Sequence, residues 1–322
     1  MSETFSPSPP VQGGTRAKFT DPERTATGAT RAQVALGRLA TLWFNTGTLC
    51  NIACANCYIR SSPTNDDLVY LTAAEVSTFL DETERGQMGT EEIGFTGGEP
   101  FMNPDILAML EDALGRGFRA LVLTNAMQPL LRPRVKADLL ILKEKFGAAL
   151  CLRVSLDHFT AALHEKERGP ETWDKAMEGL SWLGQHGFHL SIAGRTCWGE
   201  DEAVARMGYG RLFKKRGLSV DAHDPAQLIL FPEMDEARDV PEITTGCWSQ
   251  LGVDPASMMC ASARMVAKRK GAGAPAVLAC TLLHDAGYFE LGPTLGTARR
   301  SVRLNHRHCA AFCVLGGGSC SG

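Results

Sequence analysis

The chain has 322 residues, 44% of them hydrophobic, and a formal net charge of -3. This suits one large domain or a domain with an appendage, and it leaves no nucleic-acid footprint: the basic run Lys268-Arg269-Lys270 reads as a solvated turn. No apolar run reaches the ~18 residues of a membrane span, and the N-terminus MSETFSPSPPVQGGTRAK lacks the apolar core of a signal peptide, so a cytoplasmic protein is expected.

Residues 1–36 are rich in Ser, Pro, Thr and Gly and poor in large apolar residues, which predicts a disordered arm. From Leu39 strands and helices alternate. LATLWF reads as a strand, and a long loop carrying CNIACANCY follows. A helix begins near Thr72, whose side chain can cap it, with Glu75 three residues on as the capping-box partner. EEIGF is a second strand, TGGEPFMNP a loop, DILAMLEDALGRG a helix and RALVLT a third strand. A helix around ADLLILKEKF precedes the strand ALCLRVSLD. The amphipathic helix ETWDKAMEGLSWLGQHG stops at Gly187. FHLSIAGRT is strand five, a helix near EDEAVARMGYGRLFKKRG follows, and QLILF is strand six. This rhythm predicts a parallel sheet covered by helices. A doubly wound sheet and a partial (β/α) barrel both fit it. After about Asp235 the rhythm stops, and ARMVAK and AVLAC read as a hairpin with Cys260 and Cys280 at its ends.

Eleven cysteines are many for a reducing compartment, where stable disulfides are rare, so clustered thiols point to metal or redox chemistry. Cys151 and Cys197 stand alone in apolar surroundings and read as ordinary buried thiols. Cys50, Cys54 and Cys57 share one loop, and six more cysteines lie between Cys247 and Cys320. A structural zinc takes four protein ligands, and so, as a rule, does an iron–sulfur cube. Three thiolates leave one iron open to a substrate or cofactor. The loop follows the first strand at its C-terminal end, where α/β barrels place their chemistry.

Cys50-x3-Cys54-x2-Cys57, with Tyr58 directly after it, resembles the signature of the radical S-adenosylmethionine (SAM) superfamily, and Thr96-Gly97-Gly98-Glu99-Pro100 resembles its GGEP motif. The resemblance runs from about residue 39 to 235 and, more weakly, to the C-terminus. It implies an α/β fold with a partial (β/α)6 TIM-type barrel at residues 37–240, a [4Fe–4S] cluster on Cys50, Cys54 and Cys57, and SAM on the open iron. Reductive cleavage of SAM would give a 5′-deoxyadenosyl radical that abstracts a hydrogen atom from the substrate. Gly97 and Gly98 would let main chain approach the methionine amino group, with Glu99 assisting. Tyr58 would lie beside the adenine, Ser155 and Asp157 near the ribose, with Asn125 a further candidate. Arg195 would pair with the methionine carboxylate or form a surface ion pair.

The tail, residues 241–322, resembles the twitch or SPASM extensions of the superfamily, which hold auxiliary iron–sulfur clusters. Cys260 and Cys280 are the expected ligands, completed by two of Cys309, Cys313 and Cys320. Cys247 would substitute or stand as a free thiol near the substrate. The x3 and x6 spacings depart from the full SPASM pattern, so one auxiliary [4Fe–4S] cluster is expected, against a structural zinc as the alternative. His306 and His308 read as exposed loop residues. The stretch SLDHFTAALHEKERG also resembles one in peptide-modifying and molybdopterin-type members. A peptide or amino-acid-derived substrate is therefore expected, and a small metabolite is the alternative, since the barrel begins too early in the chain for an N-terminal recognition domain. A non-catalytic iron–sulfur protein and a radical methyltransferase are the remaining readings. A flavodoxin- or ferredoxin-type electron donor is implied by the resemblance.

Overall fold

A computed structural model describes residues 17–232 and 238–318. A two-residue strand, β1 (Gln33–Val34), precedes β2 (Thr41–Asn45), whose five residues are all buried. Helix α1 (Ala73–Arg85) starts where Thr72 and Glu75 form the expected reciprocal capping box. β3 (Glu92–Thr96), α2 (Ile106–Gly115) and β4 (Arg119–Thr124) follow. A single turn, α3 (Gln128–Leu131), leads to α4 (Pro133–Phe146). That helix starts a turn earlier than the apolar pattern suggests, because proline suits the first helical position.

The second half repeats the rhythm with β5 (Leu150–Ser155), α5 (Ala161–Arg168), α6 (Thr172–Gln185), β6 (His189–Arg195), α7 (Glu202–Arg216) and β7 (Leu228–Phe231). The six strands β2 to β7 are parallel and lie side by side in chain order. A doubly wound sheet would reverse that order at a switch point. The architecture is therefore a partial (β/α)6 barrel. Phe44 and Phe95 stack at 5.8 Å in its core, with Leu42, Ile93, Val122, Leu152 and Ile192 fully buried on neighbouring strands.

The tail folds as α8 (Cys247–Leu251), α9 (Met259–Ser262), β8 (Ala263–Ala267), β9 (Ala276–Leu278), β10 (Glu290–Gly292), β11 (Val302–Arg303) and a short π-type helix at Cys309–Val314. The expected hairpin is present as β8 and β9. It also does what local pattern did not show: β8 pairs parallel with β2, so the tail extends the barrel sheet. Its turn is no simple solvated loop, because Lys268 pairs with Glu75, Arg269 with Glu290 and Lys270 with Asp66.

The expected disordered arm needs a correction over its described part, residues 17–36. Arg31 is buried and bonded to Glu242 at 2.5 Å, and β1 pairs with β11. Long-range polar contacts supply here the anchoring that the composition could not promise. No helix among the described residues is long and apolar enough to cross a membrane.

Candidate active site

The loops at the C-terminal ends of β2 to β6 converge on one cleft. Its lining includes Cys50, Cys54, Cys57, Tyr58, Gly97, Gly98, Asn125, Ser155, Asp157 and Arg195. Every residue expected at the first centre is thus brought together there, except Glu99, which lies beneath it. The cysteine loop is held by main chain: Cys50 N–H donates to Ser62 O at 3.0 Å, and Ser61 N–H donates to the Cys57 Sγ at 3.3 Å. Burial, with Glu99 and Cys54 adding to it, pushes the Cys50 thiol up to about 12, and burial likewise raises Cys54. Arg168 acts against both shifts.

Two glycines set the floor. Gly97 has φ +140°, and a side chain on Gly98 would meet the Leu49 carbonyl oxygen at 2.1 Å. Gly98 N–H donates to Gly47 O at 2.8 Å, and Glu99 N–H donates to Leu49 O at 3.2 Å. The glycines therefore let the end of β3 close against the cysteine loop itself. Glu99 is 1% exposed. It accepts from Phe101 N–H at 3.2 Å, Thr124 Oγ1 at 2.8 Å and Asn125 N–H at 2.8 Å. Burial raises its carboxyl to about 7 against those donors. Glu99 is a pin between β3 and β4. Asn125 in turn donates to Asn51 Oδ1 at 2.8 Å, tying β4 to the cysteine loop.

The far wall carries an ion cluster. Asp157 bonds Arg168 Nε at 2.5 Å and Arg195 Nε at 3.2 Å. Burial opposes its ionisation, but the two guanidiniums win and hold its carboxyl below the usual range. Arg195 also donates to Asn56 O at 2.9 Å and lies 4.9 Å over the Tyr58 ring. The surface-pair reading of Arg195 is thereby excluded, because the residue is buried. Glu167 accepts from Asn56 N–H at 2.9 Å and Asn56 Nδ2 at 2.8 Å, while its carbonyl accepts from Ala55 N–H at 2.8 Å. Helix α5 thus clamps the segment between Cys54 and Cys57. Sequence reasoning quoted this helix as a motif but missed Glu167 and Arg168 as site residues. Their signal was two charged residues directly before Gly169.

In the tail, Cys260 and Cys309 are buried and Cys280 and Cys313 half-buried; Cys320 lies outside the described residues. Burial raises Cys309 well above the ordinary thiol value. Thr281, beside Cys280, donates to the sulfur of Met259, beside Cys260, at 3.8 Å, and Cys309 N–H donates to the carbonyl of His306, whose ring lies 6.3 Å from that of Phe289. Thr281 and Leu282, next to Cys280, line the barrel cleft. Cys247 does not line it and accepts from Thr244 N–H and pairs with Thr244 Oγ1, both at 3.3 Å. Cys151 pairs across strands with Ser191 Oγ at 3.7 Å, and Cys197 is half-buried after β6. The exposed reading of His308 is wrong: it is buried, with its ring 4.7 Å from that of His306. Among the described residues no three His, Cys, Asp or Glu side chains stand close enough to ligate a single metal ion.

The family model described as the radical SAM superfamily matches residues 44–197, from the end of β2 through β6. That stretch, just under half of the chain, is similar to the radical SAM superfamily. The chain is 27% identical over 144 residues to an AdoMet-dependent heme synthase of Oleidesulfovibrio alaskensis, covering 44% of this chain and 34% of that protein. It is 30% identical over 141 residues to the mycofactocin maturase MftC of Mycobacterium ulcerans, covering 43% of this chain and 35% of that one. The chain thus matches about a third of the length of these relatives. Among solved structures, Streptococcus suis SuiB bound to precursor peptide SuiA superposes with a TM-score of 0.55 at 12% identity, over 80% of this chain and 63% of that one. That likeness is one of fold.

Radical SAM proteins hold a [4Fe–4S] cluster and SAM, and the residues here fit both. Three thiols share one wall of the cleft. Two of them are desolvated to the point of resisting ionisation, a cost that coordination to iron removes. A cluster of several irons spreads its thiolates more widely than one ion does. Beside them lie the side-chain-free surface of Gly97 and Gly98 and the paired Asp157, Arg168 and Arg195, a set with hydrogen-bonding and charge complements for an amino acid and a ribose.

Proposed function

We propose that this chain is a radical SAM enzyme that oxidatively modifies a peptide or amino-acid-derived substrate. The observation that carries the reading is the convergence of Cys50, Cys54 and Cys57, the Gly97-Gly98 strip and the Asp157–Arg168–Arg195 cluster on one cleft. When bound, the reduced cluster and SAM would supply a 5′-deoxyadenosyl radical able to take a hydrogen atom from the substrate. Cys50, Cys54 and Cys57 would hold the cluster. Gly97 and Gly98 would keep side chains away from the methionine amino group, Arg195 would face its carboxylate, Ser155 and Asp157 the ribose, and Tyr58 the adenine. Leu123, Ala193, Phe231 and Leu282 give the cleft apolar lining, which would limit water around a reactive intermediate. Cys260, Cys280, Cys309 and Cys313 would hold a second, auxiliary [4Fe–4S] cluster in a twitch- or SPASM-like tail; that Thr281 and Leu282, next to Cys280, line the cleft supports an electron-accepting role for it.

A maturase such as MftC and the peptide-bound SuiB support a peptide or amino-acid substrate. The similarity to heme synthases, at comparable identity, supports the second reading, a small metabolite. A flavodoxin- or ferredoxin-type protein would supply the electron. The test is anaerobic incubation of the reconstituted protein with SAM and dithionite. 5′-Deoxyadenosine and methionine are expected from the wild type and not from the Cys50/Cys54/Cys57→Ala variant. Equal product from both would overturn the reading.

A further inference from the structure

Arg264 occupies the second position of β8, a strand buried at all five residues. It is 1% exposed. Its guanidinium donates to four main-chain carbonyls: Nε to Ala298 at 2.9 Å, one terminal nitrogen to Cys260 at 2.6 Å and Ala263 at 2.8 Å, the other to Arg300 at 3.3 Å. Among the described residues no carboxylate stands within ion-pair distance of it. The other buried arginines of the site and the N-terminal segment differ. Arg31 has Glu242, and Arg168 and Arg195 share Asp157.

Carbonyl dipoles satisfy the donors but leave the unit charge uncompensated, and a buried unpaired charge is costly. The groups placed to compensate it are thiols. Met265 pairs with Leu278 across the hairpin, and Thr281 Oγ1 donates to Met259 Sδ at 3.8 Å, which brings Cys280 to the start of β8 beside Cys260; the Cys260 carbonyl, one helical turn before Arg264, accepts from its guanidinium at 2.6 Å. Ala279 N–H, next to Cys280, donates to Phe289 O at 2.8 Å, the Phe289 ring lies 6.3 Å from that of His306, and Cys309 N–H donates to His306 O at 3.0 Å, which brings Cys309 to the same end of the hairpin.

We propose that Arg264 is the fixed counter-charge of the anionic thiolate-ligated iron–sulfur centre on Cys260, Cys280, Cys309 and Cys313, and that it raises the reduction potential of that centre. The inference rests on the auxiliary-cluster reading above. Net charge and hydrogen bonding around the sulfurs set such potentials. A cluster gains negative charge on reduction, so a buried cation favours its reduced form, the more so in a medium of low dielectric. Arg264 thus makes the tail centre a better electron acceptor, beside the cleft that Thr281 and Leu282 line. It acts as a positioning and tuning residue and touches no substrate.

The test uses full-length chain reconstituted anaerobically in a Cys50/Cys54/Cys57→Ala background, so that all bound iron reports the tail. Potentials are read by redox titration monitored by electron paramagnetic resonance, for Arg264, Arg264→Gln and Arg264→Lys. The expected result is at least a tenfold shift of the Arg264→Gln centre toward the oxidised form, equivalent to about 59 mV or more in a one-electron couple, with Arg264→Lys close to its parent. An unchanged potential in Arg264→Gln overturns the proposal. Equal shifts in Gln and Lys also overturn it, since hydrogen-bond geometry and not charge would then be responsible. Loss of iron and fold in both variants assigns Arg264 a purely structural role and overturns it too. If the parent with Arg264 intact binds no iron, the auxiliary-cluster reading itself falls, a result distinguishable from the others because it precedes any change at Arg264.

Discussion

Replacing Gly98 with alanine puts a methyl group 2.1 Å from the Leu49 carbonyl oxygen and 2.8 Å from that of Thr48. Carbon and carbonyl oxygen tolerate about 3.3 Å, so the end of β3 and the cysteine loop must part by roughly 1 Å. Overpacking of this kind costs about 1–3 kcal/mol. Parting also weakens the bonds from Gly98 N–H to Gly47 O and from Glu99 N–H to Leu49 O, at about 0.5–1.5 kcal/mol each. The combined loss is about 2–6 kcal/mol, and it falls on the residues directly before Cys50. The assay is the urea unfolding midpoint of the full chain, with an iron count on the reconstituted protein. Gly115→Ala is the control: it ends α2, with open space where the methyl would go, and should gain about 0.5–1 kcal/mol. A Gly98→Ala protein as stable and as iron-rich as the wild type would refute the reasoning.

Three further outcomes follow from the same contacts. Glu99→Gln leaves one of two backbone N–H groups, of Phe101 or Asn125, facing an amide donor, a loss of about 1–3 kcal/mol. Because the folded carboxyl is raised to about 7, wild-type stability should be full below the unfolded carboxylate value and decline as pH rises toward 7. A shift of this size is about 3 kcal/mol. The gap between wild type and Glu99→Gln should therefore narrow across that window, and parallel curves would contradict it. Asp157→Asn strands two buried guanidiniums and should cost about 3–5 kcal/mol at neutral pH. As the Asp157 carboxyl is held low, its contribution is present above the ordinary carboxylate range and lost as pH falls through the folded value; the Asn variant should lack that acid-side loss in a pH series of urea midpoints. Glu167→Ala should loosen the Asn56 segment without touching a cysteine, seen as faster amide hydrogen exchange at residues 54–57.

Much of the barrel was legible because its signals are local. The capping box at Thr72 and Glu75, the apolar runs of β2 to β7 and the cysteine and glycine motifs each lie within a few residues. What was missed is non-local or polar. Helix α5 buries only His164 and Glu167, so apolar periodicity could not mark its inner face, and its clamp on Asn56 crosses 111 residues. The pairing of β8 with β2 joins chain ends that no local pattern relates. Arg31 reaches Glu242 over 211 residues, which is why an arm of unpromising composition is partly ordered. Arg264 in a strand would be read as facing water, yet it is buried, because its donors find carbonyls brought in from Ala298 and Arg300.

The most direct measurement is an iron and sulfide count on anaerobically reconstituted chain, wild type beside the Cys50/Cys54/Cys57→Ala variant, with zinc counted in the same samples. The account predicts about eight irons in the wild type and about four in the variant, with no zinc in either. An iron-free variant that retains zinc would contradict the second centre. A variant with the same iron content as the wild type would contradict the assignment of the cleft.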